Sequence, residues 1–204
     1  MRRSLGLFLV ASVLVACSSS SSPAPAGSSS SGGAGVDAAV DSGSVDAGGD
    51  GGGGIAACDA ACQKTALLLT MNGKTDTFLR AQFGTTGKPA TSLHVEAFIG
   101  GDVACPSTGS KTPDRTAIID GVVPFQDATL QVDGITGALL DFKGDIVTTA
   151  NPSVKATRIE VKPVAISLTP AASAFVALDI TATYANGGTL TGHLYATHCD
   201  SMDE

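Results

Sequence analysis

The residues best suited to chemistry are three histidines, four clustered or widely spaced cysteines, and a scatter of aspartates. A histidine near a carboxylate can serve as a general base or acid. His94 lies two residues from Glu96, and His193 and His198 lie close to the end of the sequence. An assembled site using His94, Glu96, His193 or His198 is therefore the best catalytic candidate, of the kind a small exported hydrolase would need. The plainer reading is stronger: His193 and Tyr195 share the face opposite Leu194, which makes them solvent-facing. The chain holds no His-Glu-x-x-His, no Gly-x-Ser-x-Gly and no Walker or dinucleotide glycine pattern. No residue is therefore assigned a catalytic role. The glycines at 32–35 belong to a stretch without a preceding strand or following helix, so they do not cradle a phosphate.

Cys58, Cys62, Cys105 and Cys199 form an even set, which in an exported chain reads as two disulfides. Three pairings are open: Cys58 and Cys62 close a small ring, or each reaches out to Cys105 or Cys199. A Cys105–Cys199 bridge would close a loop nearly as long as the folded region and stabilise it by about 3 to 5 kcal/mol in the chain-entropy account. The competing reading is zinc, held by Cys58 and Cys62 with Cys105, Cys199 or His198. It is disfavoured because a second closely spaced pair is missing, and no metal or other cofactor is expected. Asp37, Asp41, Asp46 and Asp50 invite a calcium reading. They lack the EF-hand or nonapeptide spacing and read better as solubilising charges on a linker.

The start of the chain is an address. Met1, Arg2 and Arg3 are followed by an apolar run, Leu5 to Val15, of signal-peptide length and too short for a bilayer span of about 20 residues. Leu14-Val15-Ala16-Cys17 resembles the lipobox of bacterial lipoproteins, and the match covers only the signal and Cys17. The resemblance implies cleavage of residues 1–16 and diacylglyceryl attachment at Cys17, with a further acyl chain on its new amino group. Several chains are needed because one alone binds membranes only marginally. Ser18 stands where an Asp would imply inner-membrane retention, so the resemblance also implies an outer-membrane location.

Residues 17–54 follow as Ser runs, Pro-Ala and then Gly and Asp. This composition buries too little apolar surface to offset backbone ordering, so a disordered tether is expected. Its roughly 37 residues would span on the order of 35 Å. In composition the tether resembles those of lipoproteins from GC-rich Gram-negative bacteria.

The elements that must position any site lie in residues 55–204, one β-rich domain. Trp is absent, and small and β-branched residues dominate. One or two helical turns are expected at 56–65. Strands are expected at 67–71 and 75–83 around the Asn72-Gly73 hairpin turn, then at 93–99, 116–119, 129–132, 139–148 and 154–168, the last interrupted at Pro163. Asp120-Gly121 and Asp133-Gly134 read as turns. Strands at 175–184 and 189–197 form a half-buried hairpin, with Val176, Leu178, Ile180 and Ala182 on one face and Leu190, Leu194 and Ala196 on the other arm's inner face. The fold class is all-β: a small antiparallel sandwich or barrel with disulfides, behind a short helical turn and a linker.

The formal charge of −7 leaves residues 55–204 with ten Lys and Arg against fifteen Asp and Glu. An acidic chain without a basic cluster repels nucleic acid. The sequence thus points to a membrane-anchored envelope lipoprotein, a non-catalytic binding or structural module with a protein or glycan partner. An exported hydrolase and a calcium-responsive module are the alternatives.

Overall fold

The computed structural model describes residues 57–147 and 150–204. The expected signal peptide, Cys17 and the expected tether with its four aspartates lie outside the described residues. Nine strands follow in order: β1 Ala66–Met71, β2 Lys74–Phe78, β3 Arg80–Thr86, β4 Ser92–Ile99, β5 Arg115–Val122, β6 Thr136–Asp141, β7 Ser153–Ser167, β8 Phe175–Tyr184 and β9 Thr189–His198. Strands β3 to β9 pair each with the next, and β9 returns to β3, closing a seven-stranded barrel; β1 and β2 extend the wall beyond β9. The all-β barrel with two disulfides matches the fold class read from sequence.

Closure depends on β9, which has three partners. One edge pairs with β8 along its length. The other edge is shared, with Thr189–His193 antiparallel to β1 and Ala196–His198 parallel to β3 at Ala81–Phe83. This parallel step departs from the antiparallel expectation. It arises because the chain turns at Leu79: the expected single arm 75–83 divides there into β2 beside β1 and β3 beside β9.

Asn72 and Gly73 both have positive φ (52° and 75°), the geometry of the tight turn expected from this dipeptide. The β8–β9 hairpin also forms as read, with Val176, Leu178, Ile180, Ala182, Leu190, Leu194 and Ala196 all buried. Leu67, Leu69, Phe78, Phe83, Val95 and Leu139 complete a single interior core. Small barrels fill their interior with side chains in this way, and each buried Leu or Phe contributes about 1.5 to 3 kcal/mol.

Several local expectations are corrected. Of the one or two helical turns expected at 56–65 one forms, closed by Gln63 N–H donating to Asp59 O at 3.0 Å, so that expectation stands; others change. Residues 129–132 form no strand; only Gln131 bridges to Val161, while its side chain bonds both Val123 N and Val123 O at 2.8 Å. The strand expected at 139–148 stops at Asp141. There the buried carboxylate accepts N–H groups from Gly144, Ile146 and Val147 and turns the chain aside. Pro163 does not interrupt β7, because a register shift between Pro163 and Ala165 absorbs it. Asp133-Gly134 is a turn, but Asp120-Gly121 lies inside β5, where Gly121 is the extra residue of a bulge opposite Leu93 and His94 of β4.

One end of the barrel holds an ionic network. Arg115 points inward from β5 and is only 2% exposed, yet it pairs with Asp76 and Asp145 and has its Nε 3.3 Å from Asp141. The nearby Asn72 amide donates to Ile146 O at 2.8 Å, linking the first hairpin to the same end. Removing one partner of a buried pair strands the other charge at a cost of about 3 to 5 kcal/mol. Arg115→Met is therefore expected to lower unfolding free energy by about that amount in urea titration; an unchanged midpoint would show that the network contributes nothing.

Candidate functional site

Alternation along β3, β4 and β5 sends apolar side chains inward and sets a row of polar and aromatic groups on the outer face. Register makes His94 of β4 the neighbour of Asp120 on β5, with Glu96 two residues along the same strand. His94 Nδ1 bonds Asp120, and its Nε2 lies 3.0 Å from Glu96 Oε1. The bond to Glu96 raises the imidazole pKa to about 9, against opposing desolvation, with Asp120 adding to the rise. His94 is therefore an imidazolium at neutral pH, donating from both nitrogens.

Beyond Ile99 the chain leaves the sheet and folds back as a loop over Phe98, Gln82 and Thr116, all of them buried. Gly100 and Gly101 start this reversal with φ of 72° and 73°, where a side chain would be strained and would press on Asp114 or Pro113. Arg80 fastens the start of the loop: Nη2 donates to Gly100 O at 2.9 Å while the guanidinium lies 4.6 Å over the Phe98 ring. Lys111 N–H donates to Asp102 Oδ2 and Asp114 N–H to Ile99 O, each at 2.8 Å. The Cys105–Cys199 disulfide and the Ser201 hydroxyl, donating to Pro106 O at 2.6 Å, tie the loop's middle to the end of the chain.

Between this loop and the sheet lies a cleft of about 280 Å³. Its floor is Phe98, Thr116 and Leu140. Arg80 and Glu96 stand on one side, Asp102, Ser107, Ser110 and Lys111 come from the loop, and Phe142 stands at the rim. Phe142 is 49% exposed, unusual for so large an apolar ring.

The four candidate residues do not assemble. His94 and Glu96 form one cluster, and Glu96 alone of the four reaches the cleft. His193 sits on β9 with Nδ1 2.8 Å from Asp179 and Nε2 2.8 Å from the Cys62 carbonyl, clamping the small Cys58–Cys62 ring to the barrel. His198 has Asp200 at 3.2 Å from Nδ1 and Asp203 at 3.0 Å from Nε2. Because these carboxylates flank opposite nitrogens, and Asp203 also accepts Thr85 N–H at 2.7 Å, the group clasps the C-terminal turn. The zinc alternative loses its thiolates to the disulfides: Cys58 pairs with Cys62 and Cys105 with Cys199, so none of the cysteines it drew on is free to join His198. Sequence reasoning missed Arg80, Phe98, Phe142 and Asp120. The Asp120 signal lay in the alternation His94–Glu96 on a strand that needed a partner.

The chain matches no protein-family model, no curated protein and no solved structure.

Two measurements test the site. The His94 pKa is raised on folding, so its contribution is full below the ordinary value of 6.5 and is lost as pH rises through about 9. The melting temperature should fall across that interval, and His94→Gln should flatten the decline; a wild-type-like slope in the variant would contradict the assignment. Joint replacement of Cys105 and Cys199 by Ser opens a loop with a sequence separation of 94. The expected loss is about 4 to 5 kcal/mol in chemical denaturation; retention of full stability would remove the disulfide from the account.

Proposed function

We propose that this protein is a lipid-anchored envelope lipoprotein whose barrel is a non-catalytic binding module, using the cleft under the 100–114 loop. The anchor half rests on the charged start, the apolar run and the lipobox ending at Cys17. The tether that follows would give the barrel room to search near the outer membrane.

The binding half rests on one observation: all three histidines have both ring nitrogens engaged, while the cleft keeps polar groups and an exposed aromatic ring facing open space. A general base needs a free nitrogen lone pair within reach of a substrate proton. His94 has none to offer, being protonated and bonded to two carboxylates. Concave sites with a mostly apolar floor and a few placed polar groups are the usual form of a ligand site.

Expression of the full chain in a Gram-negative host tests the anchor. The membrane fraction should yield a chain beginning at Cys17 with a lipid-sized mass increment, and Cys17→Ala should abolish the increment. An unlipidated wild-type product would overturn the anchor. Turnover of ester, peptide or glycoside substrates that vanishes in His94→Gln would overturn the non-catalytic reading.

A further inference from the structure

We infer that the ligand of the cleft is a neutral sugar ring, such as the exposed end of an envelope glycan; this deepens the binding reading above and rests on it. The first argument is charge. Arg80 and Lys111 are balanced by Glu96 and Asp102, so the lining carries no net charge to select an ion. The surrounding domain is acidic, with ten Lys and Arg against fifteen Asp and Glu in residues 55–204, and its field disfavours phosphates and acidic glycans.

The second argument is the kind of polar group left free. Arg80 is held by Gly100 O and by the Phe98 ring, and Glu96 uses one oxygen on His94. Among the described residues, the second Glu96 oxygen, the Lys111 ammonium and the hydroxyls of Thr112 and Thr116 make no hydrogen bond and remain as a mixture of acceptors and donors. A sugar hydroxyl is both donor and acceptor, so a ring bearing several of them can satisfy such a mixture without bringing charge.

The third argument is shape. Phe98 and Leu140 make the apolar part of the floor, Pro113 adds an apolar contact from the loop, and Phe142 adds an exposed flat ring at the rim. The C–H face of a pyranose is the complement to such a surface, while its hydroxyls point outward to the polar groups. A volume of about 280 Å³ is near the lower bound of about 300 Å³ for small-molecule sites, which suits one ring rather than several.

The test uses the full-length lipidated protein in a detergent without a sugar headgroup, with backbone amide shifts followed by NMR. Glucose, galactose, mannose and N-acetylglucosamine are titrated to about 50 mM, which covers millimolar affinity. Phosphate, glucuronate and ethanolamine serve as charged probes. At least one neutral sugar should shift the amides of 100–114 and Thr116 saturably, leaving His193 unmoved. Phe142→Ala should weaken that binding about tenfold. Because the ring is exposed, the variant should melt with the wild type. Shifts from a charged probe alone would overturn the sugar assignment while leaving a binding cleft in place. No shift from any probe would overturn both.

Discussion

The structure depends on the closing pair between β9 and β3. A sheet with free edges exposes unpaired backbone groups to water and to other chains, whereas a closed sheet has none. Here closure is made by three residues on each strand, Ala81–Phe83 against Ala196–His198. The C-terminal residues continue the contact: Cys199 N–H donates to Phe83 O and Glu204 N–H to Thr85 O. Gly84 permits this, since a Cβ there would lie 2.1 Å from the Met202 carbonyl oxygen. A short pairing is thus lengthened by a terminal turn and fastened by a disulfide at Cys199.

Closure also creates the platform for the site. Once β3, β4 and β5 curve around the core, their outer faces stand side by side, and Arg80, Phe98, Glu96 and Thr116 become neighbours. Ordering the loop that covers them costs conformational entropy, and its fastenings offset that cost. One fastening carries a residual cost: Gln82 is 5% exposed, its Nε2 donates to Val103 O at 3.4 Å, and its Oε1 is buried without a protein partner. At the opposite face of the wall, inside the barrel, Arg115 carries a charge into the interior and is matched by aspartates. The inner network stabilises the wall, and the outer groups are left for recognition.

Much of the fold was legible because it is written locally. Asn72-Gly73 specifies a turn by its backbone preferences, and the alternation on β8 and β9 specifies both pairing and buried face. The count of cysteines pointed to two bridges. What was hidden was non-local. The β9–β3 pairing joins residues more than a hundred positions apart, and nothing in either strand names the other. Cysteine spacing allowed three pairings, and only the return of β9 to β3 brings Cys199 to the loop holding Cys105. Asp120 looked like a turn residue because Asp-Gly usually is one; here Gly121, with φ of 82°, is the extra residue of a bulge within β5. The cleft was hidden for the same reason, since its floor is a strand face and its roof a polar, glycine-containing loop that reads as plain connection.

Closure, loop and cleft therefore form one chain of dependence, and the first link can be measured directly. Amide hydrogen exchange at Phe83, Thr197 and Cys199 reports whether the β9–β3 pair is a permanent part of the wall. The account predicts that these amides which pair across the junction exchange as slowly as those of the β8–β9 hairpin, at the rate of global unfolding. Exchange there as fast as in an exposed loop would mean an open edge, and the platform on which the site is built would lose its basis.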